Sequence, residues 1–220
     1  MTQENAAPAE ALHRAERLSE QVYRKLRAGL RVDAEAVELA CLLLDWGHTA
    51  DIVRELVVRR PADIPEAEMA ELAAKLLRAV AFDPGFALAP GRLPVLEEAV
   101  RGVAADFAGS GVVDGLHIVL STDGGPRALL ALGDGTLLSS GNGLAPSAGD
   151  DPVRALVEVA EEVQAEVADR FRLVWPVCDR HGLGLRPVAE AAAAHWRCGG
   201  GPAAHFEGPV GGLTAVQQRR

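Results

Sequence analysis

Residues 109–121, GSGVVDGLHIVLS, mark the point where the chain changes period. Gly109-Ser-Gly111 interrupts the pattern, and beyond it Leu116, Ile118 and Leu120 alternate with His117, Val119 and Ser121, as a half-buried strand requires. Upstream, apolar residues recur every three or four positions, which is the helical period. The switch predicts an α+β chain in two parts, with a helical domain over residues 6–109 and a β-α module over 112–220.

Working backwards, Met69, Leu72, Ala73, Leu76, Leu77 and Val80 share one helical face, and Pro65 stands at a plausible first helical position. Leu96, Ala99, Val100, Val103 and Phe107 form a second stripe that starts near Pro94. The segment from Phe82 to Phe86 and the pair Pro90-Gly91 form a breaker-rich connection between these two helices. Leu18, Val22, Leu26 and Leu30 define an earlier helix, Asp33 caps a more apolar one ending near Trp46-Gly47, and Thr49 caps a third that Pro61 stops. Five amphipathic helices with short connections suggest a bundle. Cys41, inside Leu39-Ala-Cys-Leu-Leu-Leu44, reads as a core residue.

Working forwards, Asp123-Gly-Gly125 and Gly133-Asp-Gly135 read as turns that join three short strands into an antiparallel meander. Pro152 opens a helix whose Val153, Leu156, Val157, Ala160, Gln164, Val167 and Phe171 form one stripe, suited to cover the small sheet. Glu158, Glu161, Glu162 and Glu166 then fall on its solvated side.

The 220 residues are 49% hydrophobic, ample for buried cores. The polar, acidic start shows no secretory signal, and the densest apolar run is far shorter than the ~20 residues that span a bilayer, so a cytoplasmic protein is expected. The formal charge of -9 disfavours nucleic-acid binding. All but Lys25 and Lys75 of the 22 basic residues are arginine, a bias that reflects base composition more than chemistry.

The chemistry concentrates near the end of the chain. Cys178-Asp-Arg-His181 is followed, after an Ala-rich interval, by His195-Trp-Arg-Cys198 and then His205. Zinc takes thiolate and neutral imidazole, and a two-residue gap lets both ends of a tight turn face one ion. Cys178 and His181 meet that condition. The second pair is either His195 with Cys198, which has the compact gap, or Cys198 with His205, since Gly199-Gly-Gly201 frees the backbone to bring His205 round. The plain alternative is two buried thiols with surface histidines. A set of four protein ligands points to a closed structural site, forming a zinc-ribbon-like tail from residue 174.

The runs Val163-Gln-Ala-Glu-Val167, Trp175-Pro-Val-Cys-Asp-Arg-His-Gly-Leu-Gly-Leu185, Trp196-Arg-Cys-Gly-Gly-Gly201 and His205-Phe-Glu-Gly-Pro-Val-Gly211 resemble the C-terminal portion of small uncharacterised actinobacterial proteins. The resemblance covers about the last half of the chain. It implies Cys178, His181, Cys198 and His205 as ligands, and brings no activity with it. The Ala-rich interval 188–194 departs from the charged, Gly-containing hairpin of that group.

Elsewhere no catalytic constellation stands out. Gly133-Asp-Gly135 and Gly141-Asn-Gly143 read as turns and not as phosphate loops. His117 reads as a half-exposed strand residue, Ser139-Ser140 lacks a nucleophile elbow, and Asp45, Trp46 and His48 form a helix-end corner. The expectation is a non-catalytic interaction or adaptor protein, with an unidentified protein partner and a structural zinc. One alternative is a zinc-dependent hydrolase using Cys178, His181 and Cys198 with Glu207 as base. Another is a nucleic-acid-binding ribbon relying on Arg170, Arg172, Arg180, Arg186 and Arg197.

Overall fold

The computed structural model describes residues 6–108, 114–121, 127–139, 143–200 and 205–213, with side chains from residue 10 onward. The expected boundary at Gly109-Ser-Gly111, the turn at Asp123-Gly-Gly125, and Ser140, Gly141, Asn142 and Gly201 lie outside the described residues. Two compact units divide between Pro84 and Gly85.

The first unit contains α1 (Ala6–Arg27), α2 (Ala34–Asp45), α3 (Asp51–Val58) and α4 (Glu66–Ala79). Their stripes close on Val22, Leu39, Val53, Leu56, Met69 and Leu76, all essentially buried. Helices α1 and α2 both end on a glycine in the left-handed region, Gly29 at φ 62° and Gly47 at φ 80°. The residue after each glycine bonds back to a carbonyl five positions earlier, Leu30 to Lys25 and His48 to Leu43, which satisfies orphan carbonyls of the last turn. In α2 the inward face is Ala36, Leu39, Ala40 and Leu43, and Cys41 is exposed instead of buried. The helical period puts position 41 on the far side from 39 and 43. Asp33 occupies the N-cap of α2, yet its side chain makes no capping bond and accepts from Arg31 Nε at 2.5 Å. Ala50, not Thr49, is the N-cap residue of α3.

The second unit begins with α5 (Arg92–Phe107) and continues through β1 (His117–Ser121), β2 (Arg127–Ala131), α6 (Pro152–Phe171), β3 (Arg186–Glu190), β4 (Ala193–Cys198) and β5 (His205–Pro209). The division at Pro84 corrects the expected boundary, because α5 packs on α6 and β1 within the second unit. Leu96, Val100, Val103 and Phe107 share one buried core with Val159, Val163, Trp175 and Trp196. Helix periodicity reports that a face is apolar and is silent on which surface covers it.

β1 and β2 form an antiparallel pair. The expected third strand, Thr136 through Ser140, is reduced over its described residues to a single bridge, Ala131 with Leu137, and Ala128 bridges Leu144 in the segment read as a loop. The turn at Gly133-Asp-Gly135 is as read, with Leu132 N–H donating to Thr136 O and Asp134 accepting from Thr136 N–H. Asp151 caps α6 by accepting from Arg154 N–H at 2.8 Å, with Pro152 opening the helix. Glu166 is buried on α6, against the expectation of a solvated face. A three-stranded antiparallel sheet of order β3-β4-β5 closes the unit. The Ala-rich interval forms its first hairpin, turned by Ala191 at φ 53° where a glycine would relieve strain. Among the described residues, no helix is long and apolar enough to cross a membrane.

Candidate metal centre

Cys178, His181, Cys198 and His205 converge, with one ligand atom from each lying within 4.8 Å of all the others. Two structural devices bring them together. The first is a tight loop closed by the Val177–Gly184 bridge, with Cys178 N–H donating to Leu183 O and Gly182 N–H donating to Cys178 O, both at 2.8 Å. Gly182 sits at φ 64° and turns the chain away after His181. The second is the β4–β5 ladder, in which Cys198 and His205 are direct cross-strand partners.

Gln164 of α6 holds the base of the loop. Its amide Nε2 donates to Trp175 O at 2.9 Å and to Leu185 O at 2.7 Å, one carbonyl on each side of the ligand turn. In the sequence Gln164 falls on the apolar stripe of α6, and a lone amide within such a stripe is the one local signal of this role. Cys178 and Cys198 are fully buried, His181 is exposed, and His205 is a quarter exposed.

The separations fit a metal. Cys178 Sγ lies 3.6 Å from both His181 Nδ1 and His205 Nε2, and Cys198 Sγ lies 3.3 Å from His181 Nδ1. Sulfur and nitrogen bound at ~2.3 and ~2.05 Å to one tetrahedral ion stand about 3.5 Å apart. Gly200 N–H donates to Cys198 Sγ at 3.3 Å, as an outer bond to a ligating sulfur does. A β-carbon on Gly200 would lie 2.9 Å from the His181 ring, so this glycine is needed for close approach as well as for freedom. Burial pushes the Cys178 thiol up from its ordinary range, and its bond to Glu207 adds to the shift.

His195 stands outside the cluster. On β4 the buried positions are Ala194, Trp196 and Cys198, so His195 projects to the opposite face, where its ring packs on Phe206 at 5.1 Å. Glu207, by contrast, reaches in: its Oε1 accepts from Cys178 Sγ at 3.0 Å and lies 2.7 Å from His205 Nε2. His117 bonds the Gly115 carbonyl through Nδ1 and is exposed. Ser139 Oγ accepts from Leu130 N–H, a structural role.

Comparison with protein-family models, with curated proteins and with solved structures returns no match to this chain. The donor set itself therefore defines what the site is: a Cys2His2 cluster able to hold a metal ion.

Proposed function

We propose that this chain is a non-catalytic interaction protein whose second unit is clamped by one structural zinc ion on Cys178, His181, Cys198 and His205. The observation that carries the reading is the closed donor set: two sulfurs and two imidazole nitrogens at tetrahedral-edge separations. Two soft thiolates with two imidazoles select zinc over hard-donor metals. Reduced thiols suit the cytoplasm, where disulfides are rare, and the tail is proposed to be akin to the actinobacterial group it resembles. The hydrolase alternative needs an open position on the metal, and His205 supplies a fourth donor in its place.

The helical unit supplies the interaction surface in this reading. A groove of about 240 Å³ lies between Leu12, Ala15, Leu39, Leu43, Trp46 and Phe82, with Leu12 and Trp46 each about half exposed. Elemental analysis of purified protein tests the clamp: one zinc per chain, lost in Cys178→Ser with a large fall in melting temperature, is expected, and folded zinc-free protein overturns it. Affinity capture tests the interaction: a partner retained by wild type and lost by Leu12→Glu is expected, and identical recovery by both overturns it.

A further inference from the structure

The β4–β5 ladder carries an irregularity beside the cluster. Trp196 pairs with Gly208, but the next residue, Arg197, pairs with Phe206, so Glu207 is left over as a β-bulge. Glu207 stands two positions after His205 on β5, the spacing that puts both on one face of a strand, and at this bulge its carboxylate meets the Cys178–His205 edge of the metal centre. Resting on the reading of this cluster as a metal centre, we infer that Glu207 is a fifth donor to the ion, capping that edge through Oε1.

Three observations carry the assignment. Oε1 stands 3.0 Å from Cys178 Sγ and 2.7 Å from His205 Nε2. Oxygen at ~2.1 Å from an ion, at right angles to sulfur at ~2.3 Å and nitrogen at ~2.05 Å, lies about 3.1 and 2.9 Å from them. Next, Glu207 touches the same nitrogen of His205 that faces Cys178. A carboxylate that merely orients a ligating histidine bonds the other ring nitrogen. Finally, the carboxylate is 13% exposed. A carboxylate so little exposed calls for a cation or for hydrogen-bond donors, and an ion held by Cys178 and His205 would be a cation at that edge. No covalent chemistry is involved; the consequence is a centre saturated by protein, with no position for a substrate water on this edge.

Cobalt(II) loading of the full-length protein tests the inference. Wild type is expected to show thiolate-to-cobalt charge transfer with the weak visible bands of five-coordinate cobalt, and Glu207→Gln the several-fold stronger bands of a four-coordinate tetrahedral ion. His205→Ala is expected to keep its cobalt through Glu207, and the double variant with Glu207→Gln to lose it. X-ray absorption of zinc-loaded wild type needs no variant: two sulfur and three nitrogen or oxygen neighbours support the fifth donor, and two with two overturn it. Tetrahedral cobalt spectra identical in wild type and Glu207→Gln overturn the Glu207 assignment and leave the four-residue centre standing. Absence of any charge-transfer band in wild type overturns the centre and the fifth donor together.

Discussion

Trp196 Nε1 donates to Asp106 Oδ2 at 2.7 Å, joining positions ninety residues apart in the buried core of the second unit. The same carboxylate accepts from Gly211 N–H at 2.7 Å and Leu213 N–H at 2.8 Å, so one side chain at the end of α5 holds both β4 and the turn beyond β5. Burial pushes the Asp106 carboxyl up from the ordinary aspartate range, while the N–H donors of Leu213, Trp196 and Gly211 pull against it. Trp196 meets Trp175 edge-on, and Trp175 stacks on Phe107, so the aromatic core beneath the ligand loop is anchored through this bond.

Asp106→Ala removes the carboxylate that accepts from three N–H donors, two of these bonds buried and one partly buried. Each unsatisfied donor costs roughly 1–3 kcal/mol, so a loss of about 3 kcal/mol or more is expected in urea unfolding followed by tryptophan fluorescence. Asp106→Asn keeps an oxygen for Trp196 and Gly211 but turns an amide donor toward Leu213, and should lose about half as much. Tolerance of alanine within about 0.5 kcal/mol would refute this anchoring role.

His195→Ala should leave metal content unchanged, since that ring lies on the face of β4 away from Cys198. The lost packing on Phe206 is expected to cost about 0.5–1.5 kcal/mol. Metal loss in this variant, measured by elemental analysis, would contradict the β4 register.

Gly200→Ala should weaken the centre without touching a ligand. The added methyl would press on the His181 ring from 2.9 Å, displacing a donor that the Cys178 loop otherwise presents freely. Roughly ten- to hundredfold weaker metal affinity is expected by competition with a chelator, in line with losses on disturbing a ligand's support. An unchanged affinity would place His181 outside the shell.

In the first unit, Lys25 of α1 pairs with Glu35 of α2. Burial pushes the Glu35 carboxyl up, but the Lys25 ammonium and backbone N–H bonds together hold it below the usual glutamate range. A carboxylate lowered in the folded state stabilises above its unfolded value of 4.5 and loses that contribution as pH falls through the folded value. Lys25→Met should therefore cost under about 1 kcal/mol at neutral pH, given partial exposure, and progressively less as pH falls through the folded value. Unfolding followed through Trp46, at the end of α2, reads the difference; a cost that persists in acid would exclude the ion pair as its source.

The helices were legible because their signal is local. Met69 through Val80 and Leu96 through Phe107 carry their own periodicity, and α4 and α5 form where it places them. Ala50 instead of Thr49 caps α3 and Cys41 faces outward because backbone geometry, which composition does not carry, decides both. Gln164 escaped as a site residue for a different reason: it belongs to no ligand spacing and acts through contacts made by another element, while Glu207 was legible only as the base of the hydrolase alternative and not as a neighbour of Cys178 and His205.

By itself the sequence determined the helices, the first strand pair, the donor types and the spacing that puts Cys178 and His181 on one loop, because each rests on residues within a few positions of one another. Tertiary structure alone decided that α5 belongs with α6, that His205 joins Cys198 while His195 turns away, and that Glu207 meets Cys178. These depend on strand register and on which surface covers an apolar face. A one-residue slip in pairing reverses every side chain, and no local spacing encodes that choice.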